Sequence, residues 1–122
     1  MSKFKSKNYL ESFKNAWHGV MLIWKSEKNF RIHFLIGLAV LILAFVIGFD
    51  KDKFCILILT ITIVLLSEMF NSALEYSLDA MYKNKYSRLV GMAKDIAAGA
   101  VTVSALSSVI IGCVLFLTEI FD

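Results

Sequence analysis

The sequence predicts an all-α integral membrane protein, with an N-terminal amphipathic helix lying on the membrane and three helices crossing it. Three observations carry this. The chain is 58% hydrophobic with no proline, and its mean hydropathy is +0.70; soluble domains run at about 45–50% apolar. Its long apolar stretches match the thickness of a bilayer. Its thirteen Lys and Arg fall in blocks: seven in residues 1–31, two in Lys51–Lys53, four in residues 83–94 and none after Lys94. If spans separate the blocks, the excess of basic residues puts the N-terminus and the 82–94 loop in the cytoplasm, and the 50–53 turn and the C-terminus outside. At 122 residues the chain is read as one membrane-embedded unit, 1–122.

Residues 1–7 are basic, polar and expected to fray. No cleavable signal peptide is expected, because no long apolar core follows Lys3, Lys5 and Lys7 before Trp17. From Tyr9 the apolar residues Leu10, Phe13, Trp17, Val20, Met21 and Trp24 recur at helical spacing. Lys14, Asn15, His18 and Lys25 take the opposite face. Such a helix, about 8–26, suits the membrane interface. His18 is read as solvated. Ser26–Arg31 breaks the pattern, and by position alone Glu27 there reads as a solvated charge.

The first span is expected at about 30–49. Residues 32–49 form an apolar run about 27 Å long, close to the ~30 Å hydrocarbon core. His33, at its cytoplasmic edge, reads as an interfacial hydrogen-bonding residue rather than a catalytic one. Gly48–Lys53 reads as a short turn. The second span is expected at about 53–81. Its purely apolar part ends at Leu66, only about 20 Å along, so the helix must continue through Glu68 toward Asp79 to reach water. The third span is expected at about 91–118. Its many small residues, among them Ala97, Gly99, Ser104 and Gly112, allow close helix approach and place it at the centre of an oligomeric bundle. Cys55 and Cys113 sit alone in apolar runs, without metal-ligand spacing, and read as plain apolar residues.

The second span carries the chemistry. At about 100° per residue, Glu68, Glu75 and Asp79 fall within roughly 40° of one another, with Asn71 about 60° away. Like charges on one helix face repel, and carboxylates near lipid are costly to desolvate. A bound cation reverses that penalty, since divalent metals need clustered oxygen ligands. With Glu27, Lys94 and Asp95 at the same rim, these are parts that phosphoryl transfer uses: carboxylates for Mg²⁺, a cation for phosphate and a base for an acceptor hydroxyl. No Walker A pattern or GxGxxG occurs. The chemistry leaves three readings open: a metal-dependent enzyme, a cation channel or transport oligomer, and a non-catalytic membrane scaffold.

Glu68-Met69-Phe70-Asn71-Ser72-Ala73-Leu74-Glu75 followed by Asp79 resembles the E-x-x-N-[ST]-A-x-E-x-x-x-D signature of the prokaryotic diacylglycerol kinase family. Ala93-Lys94-Asp95 with Ile96–Val101 resembles its second signature, and Glu27–Arg31 is similar to its E-x-x-[FM]-R element. The resemblance covers about residues 9–117. It implies a homotrimeric lipid kinase using ATP and Mg²⁺, with no nucleic-acid partner and with sites shared between subunits at the cytoplasmic interface of a bacterial plasma membrane. Carried over by motif, Glu68 would be the general base on the lipid hydroxyl, with Asn71 beside it at the acceptor and the phosphates. Glu27 and Glu75 would hold Mg²⁺ with the ATP phosphates, and Asp79, Lys94 and Asp95 would complete the ATP site. Lys94–Val101 and the Asn29–His33 stretch look like the branch that phosphorylates undecaprenol, a polyprenol carrier of cell-wall precursors. The diacylglycerol branch more often has a polar residue near Ala98 and an acidic one near His33. The resemblance therefore favours undecaprenol as acceptor, with diacylglycerol as the alternative.

Overall fold

A computed structural model describes residues 8–83, 85 and 87–122. The basic stretch before residue 8 and loop residues Asn84 and Tyr86 lie outside the described residues. The described chain is four helices: α1 (Tyr9–Ser26), α2 (Lys28–Ile47), α3 (Lys51–Tyr82) and α4 (Arg88–Phe121). The last three are each long and apolar enough to cross a membrane.

Helix α1 starts where Asn8 accepts a hydrogen bond from the Glu11 amide at 2.9 Å, an N-cap that satisfies one otherwise orphaned donor. Its apolar stripe finds little protein to bury against. Phe13 and Trp17 are 70% and 60% exposed, and Ile23 is the buried residue of the helix. A stripe left open in this way suits a membrane surface.

The break between α1 and α2 is narrower than the sequence pattern implies. Only Glu27 leaves the helical conformation, with φ −117° and ψ 107°, and α2 begins at Lys28 rather than near residue 30. Arg31 makes so tight a corner possible. Its Nη1 donates to the carbonyls of Trp24 at 2.7 Å and Lys25 at 3.1 Å, satisfying acceptors that the end of a helix leaves open. The Trp24 ring meets Phe34 edge-on at 5.4 Å between centroids.

Helix α2 stops at Gly48, whose φ of 99° lies in the left-handed region that glycine enters without a Cβ penalty. Asp50 caps α3, accepting from the Lys53 amide at 2.8 Å. Both transmembrane helices after this turn overrun the hydrocarbon core. At 1.5 Å per residue, 32-residue α3 and 34-residue α4 are roughly 48 and 51 Å long. Polar side chains inside the apolar run are satisfied locally: Thr60 donates to Ile56 O at 2.7 Å and Ser67 to Val64 O at 2.7 Å, the back-bonding that lets a hydroxyl sit in a lipid-embedded helix.

Within one chain the central helix is α3, which packs against α4 most extensively and against α2 next. The expectation that the last span is central is not met inside a single chain. Of the three spans, α4 has the smallest buried share, and nothing lies near a Cβ built on Gly99 or Gly112. One cluster of buried apolar side chains lies at one end, while Ile23, Phe30 and Val64 are buried toward the other. Ala44, Leu57 and Leu115 are buried together in that cluster, packed by Val40, Leu41, Phe54 and Ile111. Phe49 and Phe116 meet with their rings tilted by 47°, centroids 4.7 Å apart. Lys53 closes the same end, donating to Thr118 Oγ1 at 3.1 Å and pairing with Glu119 at 3.7 Å. The carboxylates lie at the opposite end.

Candidate functional site

Glu68 is the most deeply placed of the candidate residues, 6% exposed on α3. Its Oε1 lies 2.6 Å from Nδ1 of His33, across on α2. Its Oε2 is buried and has no hydrogen-bond partner, and the same holds for Oδ1 of Asn71, three residues on. Two acceptor oxygens thus sit in protein without a donor, an arrangement native structures avoid unless a ligand, water or ion completes it.

Both residues line a cavity of about 170 Å³ together with Glu27, Phe30, Ser72 and Ala98. Its walls come from three places: the α1–α2 corner, the middle of α3 and, with apolar side chains only, α4 at Ala98 and Val101. Tyr76, two turns beyond Glu68, donates its hydroxyl to Glu27 Oε1 at 3.1 Å, so Glu27 is held toward α3 rather than left in solvent.

A second cavity, about 220 Å³, lies further along α3 between Asp79, Tyr82, Lys85, Ser87 and Lys94. Lys94 donates to Asp79 Oδ1 at 2.6 Å. Glu75 is half-buried, close enough to Lys94 for their charges to interact. Asp95 is exposed and makes no hydrogen bond or ion pair among the described residues. The rim read from the sequence as one constellation is therefore divided. Glu27, Glu68 and Asn71 come together; Asp79 and Lys94 come together; Glu75 and Asp95 line neither cavity. A helix wheel fixes direction but not what packs against each level: at Glu68 both α2 and α4 line the cavity, and at Asp79 only the loop and the start of α4 do.

A third, apolar groove of about 370 Å³ runs from the core end to the mouth of the site. It is lined by Val40, Leu57, Ile61, Val64 and Phe116, and ends at His33. The His33–Glu68 pair therefore stands where an apolar groove meets an oxygen-lined cavity.

Comparison with known proteins shows the family of the chain. A family model described as prokaryotic diacylglycerol kinase matches residues 14–116. The chain belongs to the prokaryotic diacylglycerol kinase family. It is 39% identical over 115 residues to a diacylglycerol kinase of Synechocystis, covering 94% of this chain and 66% of that relative. It is 35% identical over 112 residues to an undecaprenol kinase of Bacillus subtilis, covering 92% and 90%. It is 30% identical over 100 residues to a diacylglycerol kinase of Escherichia coli. As a member of this family of prokaryotic lipid kinases, with three membrane-crossing helices, the chain is a multi-pass bacterial membrane protein.

A kinase family implies ATP as phosphate donor, and the residues fit a Mg²⁺-bound phosphate. Among the described residues no three His, Cys, Asp or Glu side chains form a ready cage. Mg²⁺ does not need one: it is usually held by one or two carboxylates, with water and phosphate oxygens supplying the rest. The Glu27 carboxylate and the unpartnered Oδ1 of Asn71, lining one cavity, are oxygen donors of the kind such a cation favours. The expectation that His33 is a hydrogen-bonding residue is met, although its partner, Glu68, could not be read from the sequence. Sequence reasoning passed over two residues here, Tyr76 and Arg31. Arg31 had a signal, its place in a matched motif; long-range partners such as Tyr76 to Glu27, 49 residues apart, leave no mark on local spacing.

Proposed function

We propose that this chain transfers the γ-phosphate of ATP to the hydroxyl of a membrane lipid alcohol, with undecaprenol as the acceptor, at the cytoplasmic face of the membrane. The observation that carries the reading is the buried Glu68 with its unpartnered Oε2, set between an apolar groove and an oxygen-lined cavity. A lipid alcohol is confined to the bilayer and ATP to water, so only a boundary site can hold both in line.

Glu68 acts as general base. Its Oε2 takes the hydroxyl proton as the acceptor oxygen bonds to the γ-phosphorus and the bond from that phosphorus to the departing ADP oxygen breaks. Asn71 orients the acceptor and the phosphate beside it. Glu27 and Glu75 would hold Mg²⁺, which when bound would neutralise charge on the phosphates. Lys94, fixed by Asp79, faces the nucleotide, and Asp95 completes that site from the neighbouring surface. The site is shared in a homotrimer, a reading supported by the small residues of α4 left without neighbours at Gly99 and Gly112 and by Asp95, which is exposed and lines none of its own chain's cavities.

Two features favour undecaprenol. Ala98, apolar where the diacylglycerol branch more often carries a polar residue, lines the cavity of Glu68. His33, where that branch more often has an acid, touches Glu68 itself. Diacylglycerol is the second reading, favoured by the 39% identity to the Synechocystis relative. The test is a purified-protein assay with labelled ATP and Mg²⁺, offering both lipids in mixed micelles. Label chiefly in undecaprenyl phosphate is the expected result. Label chiefly in phosphatidic acid moves the acceptor to diacylglycerol with the same residues, and label in neither overturns the kinase reading.

A further inference from the structure

We infer that His33 is a positioning residue for the base: its imidazole holds one oxygen of Glu68 and so dedicates the other to the acceptor hydroxyl. The inference rests on Glu68 acting as the base.

The geometry is specific. The 2.6 Å contact joins residues 35 apart in sequence and fastens α2 to α3. An ionised carboxylate only accepts hydrogen bonds, so Nδ1 carries the hydrogen and donates it to Oε1. Hydrogen bonds to a charged acceptor are short and strong. With Oε1 occupied, Oε2 is the oxygen left buried and without a partner. The carboxylate can no longer turn freely between its two faces, and its free lone pairs keep one direction.

His33 reaches Glu68 because the helices approach closely one turn away. A Cβ on Gly37 would lie 2.7 Å from Cγ2 of Ile61, so a side chain larger than hydrogen there would force α2 and α3 apart. His33 also ends the apolar groove. A lipid hydroxyl arriving along that groove meets the imidazole and then the free oxygen. A tie between helices could be made by many residue pairs; a tie that leaves one buried carboxylate oxygen open, at the junction of two cavities, is what a base needs in order to be held in one attitude.

The test uses the full-length protein in mixed micelles with ATP, Mg²⁺ and undecaprenol. His33→Leu should lower kcat roughly 100-fold, the scale set by a displaced catalytic group, while both KM values stay within about twofold. His33→Asn should restore much of that loss, because its side-chain N–H stands where Nδ1–H does. A second readout does not depend on turnover. The chain has 2 histidines, so in a His18→Gln background the ¹⁵N spectrum reports His33 alone. It should show a protonated Nδ1 that Glu68→Ala abolishes. His33→Leu with wild-type kcat, or His33→Asn no better than His33→Leu, overturns the inference. An Nδ1 signature indifferent to Glu68→Ala does so too. If Glu68→Ala itself turned over like wild type, the base assignment would fall and take this inference with it. If only Glu68→Ala were inactive and His33→Leu were not, the base would stand and the inference alone would fail.

Discussion

Glu68 occupies a place where a carboxylate weakens the fold. It is buried, one oxygen lacks a partner, and removing charge from water within a membrane is costly. Sites that hold function at the expense of stability respond to substitution in opposite directions. Glu68→Gln keeps the shape and an acceptor for His33. It is expected to leave thermal stability unchanged or slightly raised while turnover falls by about 10²- to 10⁴-fold, the range for loss of a general base. Melting curves and initial rates on one preparation check both halves; a variant with wild-type rate removes Glu68 from the base role. Glu75→Gln should act elsewhere, weakening Mg²⁺-dependent ATP binding in a titration while leaving lipid KM unchanged. Equal ATP affinity in the two proteins would count against Glu75 as a ligand. The Asp79–Lys94 pair is half-exposed, so its worth lies in aiming the ammonium rather than in stability.

Among the elements, the α1–α2 corner and the α2–α3 contact place the site. The corner is a single residue wide, and that residue is Glu27. Arg31 fixes the corner through the last carbonyls of α1. Arg31→Lys keeps the charge but replaces a planar fork with a point donor. It should reduce kcat/KM for ATP on the order of tenfold, by displacing Glu27, with little effect on overall helicity. Steady-state kinetics beside circular dichroism test this, and an unchanged ATP dependence would show the corner holds without Arg31. Gly37→Ala should separate α2 from α3. Overpacking of this kind costs about 1–3 kcal/mol, and because His33 lies one turn away, turnover should fall along with the melting temperature. The residues that make these joints were only partly legible in sequence. Helix type and number followed from apolar periodicity. Both ends of α3 and α4 and the start of α2 lie one to three residues further out than the spans expected from hydropathy, while α2 stops two residues early, at Gly48, because caps such as Asp50 and Gly48 and not hydropathy set the ends. The break at Glu27 looked six residues wide because polar side chains interrupt the stripe there, while the backbone needs only one residue to turn.

For the molecule as a whole, sequence order alone put the carboxylates at one end of an antiparallel set of spans, and the structure agrees. What could not be read was the division of that end into two cavities, because it depends on which neighbour each side of α3 meets. The packing is uneven along the bundle. Ala44, Leu57 and Leu115 with their apolar neighbours, the Phe49–Phe116 pair and the Lys53 contacts are all at the end away from Glu68. Lys53→Met should therefore lower stability by roughly 1 kcal/mol, the usual worth of a hydrogen bond, with no change in turnover. A matching loss of activity would mean that the two ends are coupled.

Fastening at two levels has a consequence for motion. The cluster of Ala44, Leu57 and Leu115 pins one end of the bundle, and the His33–Glu68 contact pins α2 to α3 near the other. The apolar groove spans the wall between the two pins. In hydrogen exchange, amides near Leu57 and Glu68 should open later than those of α3 beyond Asp79. A greasy molecule could then slip sideways from the bilayer into the groove, and its phosphorylated form leave the same way, without either pin letting go.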